Sequence, residues 1–81
     1  MNKTVIALMN EVEMALGSNY EVRRGEIEKE KNKKKIMIIV HEKENDDTTA
    51  FEVNQLVECI KNGRFSVKKA AEKLVEAYKI K

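Results

Sequence analysis

Proline and tryptophan are absent from this chain of 81 residues, and cysteine and histidine occur once each. A single cysteine, Cys59, excludes an internal disulfide, and one Cys with one His cannot close a tetrahedral zinc site without recruiting several carboxylates. No apolar run approaches the roughly 18–20 residues that span a bilayer; the longest, 5–9 and 36–40, have five residues each. After Lys3 the chain reaches Glu11 and Glu13 without a cleavable apolar stretch, so the N-terminus does not read as a signal peptide. The expectation is a cytoplasmic protein with no membrane association and no cofactor. Glycine is also scarce. Gly17, Gly25 and Gly63 are isolated and each falls at an element boundary, so no glycine loop is available to cradle phosphate. The length allows one domain, 1–81, and no segment reads as a linker, a repeat or low complexity.

What the chain has in quantity is charge: 37% of residues are charged, yet 16 Lys+Arg against 14 Asp+Glu leave a net charge of only +2. That balance is too even to argue for nucleic acid by itself. The distribution says more, because the signs are segregated in the middle of the chain. Lys31, Lys33, Lys34 and Lys35 form a basic knot, and Glu42, Glu44, Asp46 and Asp47 an acidic one. They read either as two solvated turns or as a dipolar rim that orients a charged partner.

The periodicity predicts an α+β fold. Val5, Leu8, Met9, Val12, Ala15 and Leu16 make one helical stripe over 3–16, with Gly17 to end it; Ile6 and Met14 lie off that stripe as candidates for an exposed apolar contact. From Tyr20 the period changes to two, interrupted by Gly25, where an isolated glycine suggests a bulge or bend. A polar segment over 29–34 is the expected hairpin tip. The continuous apolar run 36–40 predicts a central strand, with Ile36, Ile38 and Val40 on one face and Met37, Ile39 and His41 on the other. Residues 48–53 read in two ways: Thr49, Phe51 and Val53 alternate as a third strand, while Thr49 with Glu52 also fits a capping box that would start a helix. The expectation is a short strand there, then a helix with Asn54 as N-cap, ended by Gly63. Ser66 caps a last helix carrying Val67, Ala70, Ala71, Leu74 and Tyr78. The expected architecture is an N-terminal helix, a three-stranded antiparallel meander and two C-terminal helices packed on one sheet face. Three amphipathic helices cover one face of three strands and leave the other open, and an apolar patch on an open face marks an interaction surface.

Little in the chain suggests catalysis. Ser18 and Ser66 have no histidine near them, and His41 stands alone beside Glu42. Cys59 falls among Leu56 and Ile60 on an apolar helix side and reads as a buried structural thiol. The acidic knot lacks the spaced ligands and turn glycine of a calcium loop. The basic residues Arg23, Arg24, Lys31, Lys33, Lys34 and Lys35 offer the rival reading, a β-ribbon on nucleic acid. Against it, Glu21, Glu26, Glu28 and Glu30 share that hairpin, and the four aromatics fall in apolar patterns rather than on a stacking platform.

The order of landmarks is itself informative. Tyr20-Glu21-Val22, the apolar strand, Thr49-Ala50-Phe51-Glu52-Val53-Asn54, Lys61-Asn62-Gly63 and the helix from Ser66 to Tyr78 resemble an uncharacterised bacterial domain family found mainly in gut clostridia. The resemblance covers most of the chain and implies the β-β-β-α-α order and a bacterial or phage origin. Members tend to carry a proline before the third strand, which this chain lacks, and the family supplies no functional residues to carry over. The functional expectation is a non-enzymatic protein-interaction module. By analogy of size and dense mixed charge, its sharpest form is a phage or mobile-element inhibitor of a larger host protein, in the manner of an anti-CRISPR protein. Met37 and Ile39 would be buried at contact, with Arg23, Arg24, the lysine knot and Glu42, Glu44, Asp46 and Asp47 steering the encounter. The alternatives are a nucleic-acid binder and a homodimer that pairs its own open face.

Overall fold

The computed structural model describes residues 3–30 and 33–80. Helix α1 (Lys3–Leu16) leads into strands β1 (Tyr20–Glu30), β2 (Lys33–Glu42) and β3 (Asp47–Glu52), followed by helices α2 (Asn54–Lys61) and α3 (Val67–Ile80). The sheet is antiparallel in the order β1-β2-β3, so the apolar run lies on the middle strand. This is the expected α+β architecture.

Register decides which side chains share a face. Val22 lies opposite Val40, and Ile38 lies opposite both Arg24 on β1 and Phe51 on β3. Side chains alternate along a strand, and directly opposed residues point the same way. Tyr20, Val22, Ile36, Ile38, Val40 and Phe51 therefore form one face. That face meets Val5, Leu8 and Val12 of α1, Val57 of α2, and Ala70, Ala71, Leu74 and Val75 of α3 in a single core cluster. Ile38 is wholly buried at its centre. The helices follow the predicted stripes with two adjustments: Ala15 is exposed, and Val75, which the stripe left out, is buried.

Tyr78 ties α3 across the sheet. Its ring sits edge-on to Tyr20 of β1, with centroids 5.8 Å apart, and to Phe51 of β3 at 6.4 Å. Each such pair contributes about 0.5–1.5 kcal/mol beyond its burial. Ser66 caps α3 as expected, accepting from the Lys69 N–H at 3.1 Å. Gly63, at φ 84, ends α2 in a Schellman motif, where the Arg64 N–H reaches Cys59 O at 2.8 Å and the Gly63 N–H reaches Ile60 O at 3.2 Å.

Three expectations need correction. Gly25 makes no bulge: it lies in register opposite Met37, and the irregularity falls between Glu28 and Glu30. The hairpin strands run further into the polar segment than its composition suggests, to Glu30 and Lys33. Asn54 does not cap α2. Val53 holds that position without a side-chain bond, while Asn54 turns to the edge of β2, where its Oδ1 accepts from the Ile36 N–H at 2.9 Å and its Nδ2 donates to Lys34 O at 3.2 Å. β3 ends at Glu52, so the Asn54 amide continues the ladder that the departing backbone no longer supplies.

Asn54→Ser tests this assignment. Serine is as good a cap as asparagine but cannot span to both β2 groups. Denaturant unfolding should show a loss of about 1–2 kcal/mol, the net worth of the two bonds. An unchanged midpoint would restore the capping role.

Candidate functional site

With the helices gathered on one side, the opposite face of the sheet is uncovered. It carries Glu21, Arg23, Gly25 and Ile27 from β1, Lys35, Met37, Ile39 and His41 from β2, and Thr48, Ala50 and Glu52 from β3. At its centre Met37 and Ile39 are only half-buried, and Ile27 is 51% exposed. Gly25 shapes this surface by lacking a side chain. A Cβ there would lie 3.0 Å from Ile39 Cδ1, so the isoleucine rests across the glycine and widens the apolar patch towards β1.

The structure splits the basic residues singled out from sequence. Arg23 and Lys35 lie on the open face, while Arg24 and Lys34 project from the helix-bearing side, because neighbours on a strand alternate. Lys33 joins the ladder opposite Glu30, and Lys31 lies outside the described residues. Arg23, Arg24, Lys34 and Lys35 each have a carboxylate at hand. Arg23 Nη2 reaches Glu21 at 2.8 Å, Lys35 Nζ reaches Glu52 at 3.2 Å, Arg24 pairs with Glu26, and Lys34 Nζ is 3.9 Å from Glu26. The bond from Arg23, with its charge, holds the Glu21 carboxyl below its ordinary range. The rim of the open face is thus largely self-neutralised around an apolar centre.

The acidic residues gather at the other end of β2, about 30 Å along a ten-residue strand from the hairpin tip. Glu42 and Asp47 close the ladder and the turn 43–46 links them, with Asp46 in the left-handed region at φ 51. Glu44 accepts from Asn19 Nδ2 at 3.4 Å, and Asp46 Oδ1 lies 3.3 Å from His41 Nε2. His41 Nδ1 is 3.0 Å from Thr48 Oγ1, so both ring nitrogens are engaged locally. Glu42 points to the helix side, where Asn45 Nδ2 and the Tyr20 hydroxyl, at 3.0 Å, donate to it. That hydroxyl bond, followed by burial and the carboxylate's negative charge, raises the Tyr20 phenol above its ordinary 10.0. Tyr78 adds a lesser push in the same direction.

Elsewhere the surface carries less. Cys59, expected to be a buried thiol, is half-buried beside a shallow depression formed with Gln55, Glu58 and Arg64 on α2 and the loop after it. A longer groove runs between α1 and the outer edge of β1, past Asn10, Met14, Tyr20 and Val22. Among the described residues no three His, Cys, Asp or Glu side chains come together as a metal-binding group, and no helix is long and apolar enough to cross a membrane. No protein family, curated protein or solved structure matches this chain. The site is therefore read from its own residues.

Sequence reasoning placed Met37 and Ile39 on a shared face but missed Ile27, Ala50 and the part played by Gly25. Ile27 was legible in principle: once Gly25 pairs with Met37, parity places Ile27 on the same face.

The Tyr20–Glu42 bond has a measurable sign. A raised folded-state value means that the bond stabilises the fold fully below pH about 10 and that this contribution fades as pH rises through the folded value. In a Tyr78→Phe background, tyrosinate absorbance should give a Tyr20 midpoint above 10.0 that moves down in Glu42→Gln. A midpoint indifferent to Glu42→Gln would contradict the assignment.

Proposed function

We propose that the chain is a non-enzymatic protein-interaction module that binds another protein through the open face of its sheet. The observation carrying this reading is the uncovered apolar centre, Ile27, Met37 and Ile39, on the face opposite a complete core. A sheet face that serves only as solvent boundary carries polar residues in alternation; here the middle strand keeps apolar residues on both sides. Arg23, Lys35, Glu21 and Glu52 form a rim of paired charges around that centre, which suits a protein surface of mixed sign. The same pairing weighs against a phosphate backbone, which would have to displace a carboxylate from Arg23, Arg24, Lys34 and Lys35.

Within that reading, a partner spanning the open face along β2 meets Lys35 towards one end and the acidic turn with Glu44 and Asp46 at the other, which sets its orientation. A small module of this kind acts by occupying a surface of a larger protein, as a mobile-element inhibitor of a host machine does, and the anti-CRISPR-like role is its most specific form.

Met37→Lys is the direct test. The new lysine faces Glu52 across the ladder, so the fold is retained while a charge enters the apolar centre. Wild-type and variant chains serve as paired baits in the cells that express the protein, and a specific partner should be retained by the first and lost by the second. Light scattering with a short DNA duplex at low and moderate salt supplies the opposing arm. Equal capture by both baits, or a salt-sensitive mass shift with DNA, would overturn the reading.

A further inference from the structure

The outer edge of β1 presents a second interaction surface, distinct from the open face. The Val53 N–H reaches Ile36 O at 2.9 Å and the Ile36 N–H reaches Asn54, so the even-numbered residues of β2 turn their backbone groups towards β3. The odd-numbered ones bond β1, as the Lys43 N–H does with Asn19 O at 3.0 Å. In β1 the partners Glu21, Arg23, Gly25 and Ile27 are also odd. The N–H and C=O groups of Val22, Arg24 and Glu26 therefore point outward, and among the described residues none has a backbone partner. No proline interrupts this edge, and its pairing with β2 is regular as far as Glu28. Long regular edges of this kind accept another strand.

We infer that a second copy of this chain pairs antiparallel along β1, with the twofold axis at Gly25. Charge points to a second copy, and charge with length selects the register, since an axis at 22 also opposes Glu21 to Arg23 but pairs only 20–24. An axis at 25 sets Arg24 opposite Glu26 of the second copy, and Glu26 opposite its Arg24. An axis at 23 or 24 sets Arg against Arg, and one at 26 sets Glu against Glu, which destabilises a ladder. On the axis itself the two strands make their close, non-hydrogen-bonded approach, and glycine brings no side chain of its own to it. Two further observations agree. Arg24 Nε is buried and has no hydrogen-bond partner among the described residues, and the opposing glutamate offers its guanidinium a further acceptor. Met14, 76% exposed, borders the groove beside this edge, and Ile6, 37% exposed, shares its stripe on α1; a second copy would cover both. The paired sheets then form one continuous sheet with two apolar centres side by side on its open face. The pairing is independent of what that face binds.

The test is solution mass by light scattering over rising concentration, with charge swaps. The wild-type chain should reach twice 9.4 kDa. Arg24→Glu should remain folded and weaken association on the order of tenfold or more. The double variant Arg24→Glu/Glu26→Arg restores opposite charges across the axis and should dimerise again, and Met37→Lys should stay dimeric. Amide exchange needs no substitution: the Val22, Arg24 and Glu26 N–H groups should gain protection as wild-type concentration rises. A wild-type monomer at every concentration would overturn the inference and leave the edge to a foreign strand. A dimer indifferent to Arg24→Glu, or one lost in Met37→Lys, would overturn it in favour of another interface. A folded double variant that stays monomeric, or edge amides whose exchange ignores concentration, would equally defeat it.

Discussion

The middle strand of the sheet carries apolar side chains on both faces, and the chain supplies helices for one. Ile36, Ile38 and Val40 meet the helices and are closed into a core by residues from every other element. Met37 and Ile39, between them in sequence, are directed the opposite way by the two-residue period of a strand. Burying Ile38 at the centre is worth on the order of 1.5–3 kcal/mol in transfer free energy alone, which pins the register. A slip of one residue would exchange the two sets, and with them the buried and open faces. The candidate interaction surface is the other side of the constraint that makes the core.

Charge is arranged around that sheet so as to cancel locally. Arg23 with Glu21 and Lys35 with Glu52 sit on the open face, and Arg24 with Glu26 on the helix side. Surface pairs of this kind contribute little to stability, about 0–1 kcal/mol each. Their effect is on recognition: a rim of matched pairs presents no field of one sign, so an apolar surface with its own polar rim is the better fit. The acidic turn at the far end is likewise engaged, through Tyr20, His41 and Asn19.

Much of this was legible in the residues. Helix stripes, the Ser66 cap, the central strand and the division of its faces follow from spacing, because each helix has one apolar stripe and the side chains of the apolar run alternate. What spacing could not supply were facts that depend on a neighbouring strand. Gly25 looks like a bulge in isolation; only its pairing with Met37, and Ile39 lying across it, explain the absent side chain. Asn54 has the composition of a cap, and its amide was drawn instead to the unpaired edge left where β3 ends. Adjacent bases read as one knot in the sequence, yet alternation sends Lys34 and Lys35 to opposite faces. Cys59 sits among apolar residues along the chain but at the margin of α2 in space, where it is half-buried.

The account stands on the two faces of β2 differing in exposure within a single copy of the chain. Relaxation of side-chain methyl groups by a soluble paramagnetic probe, recorded at dilution, reads that difference on adjacent residues of the unmodified protein. The methyls of Ile27, Met37 and Ile39 should relax strongly, while those of Ile38, Val40 and Leu8 should be shielded. Equal shielding of Met37, Ile39 and Ile38 would mean that both faces are covered, and the open-face account would fail.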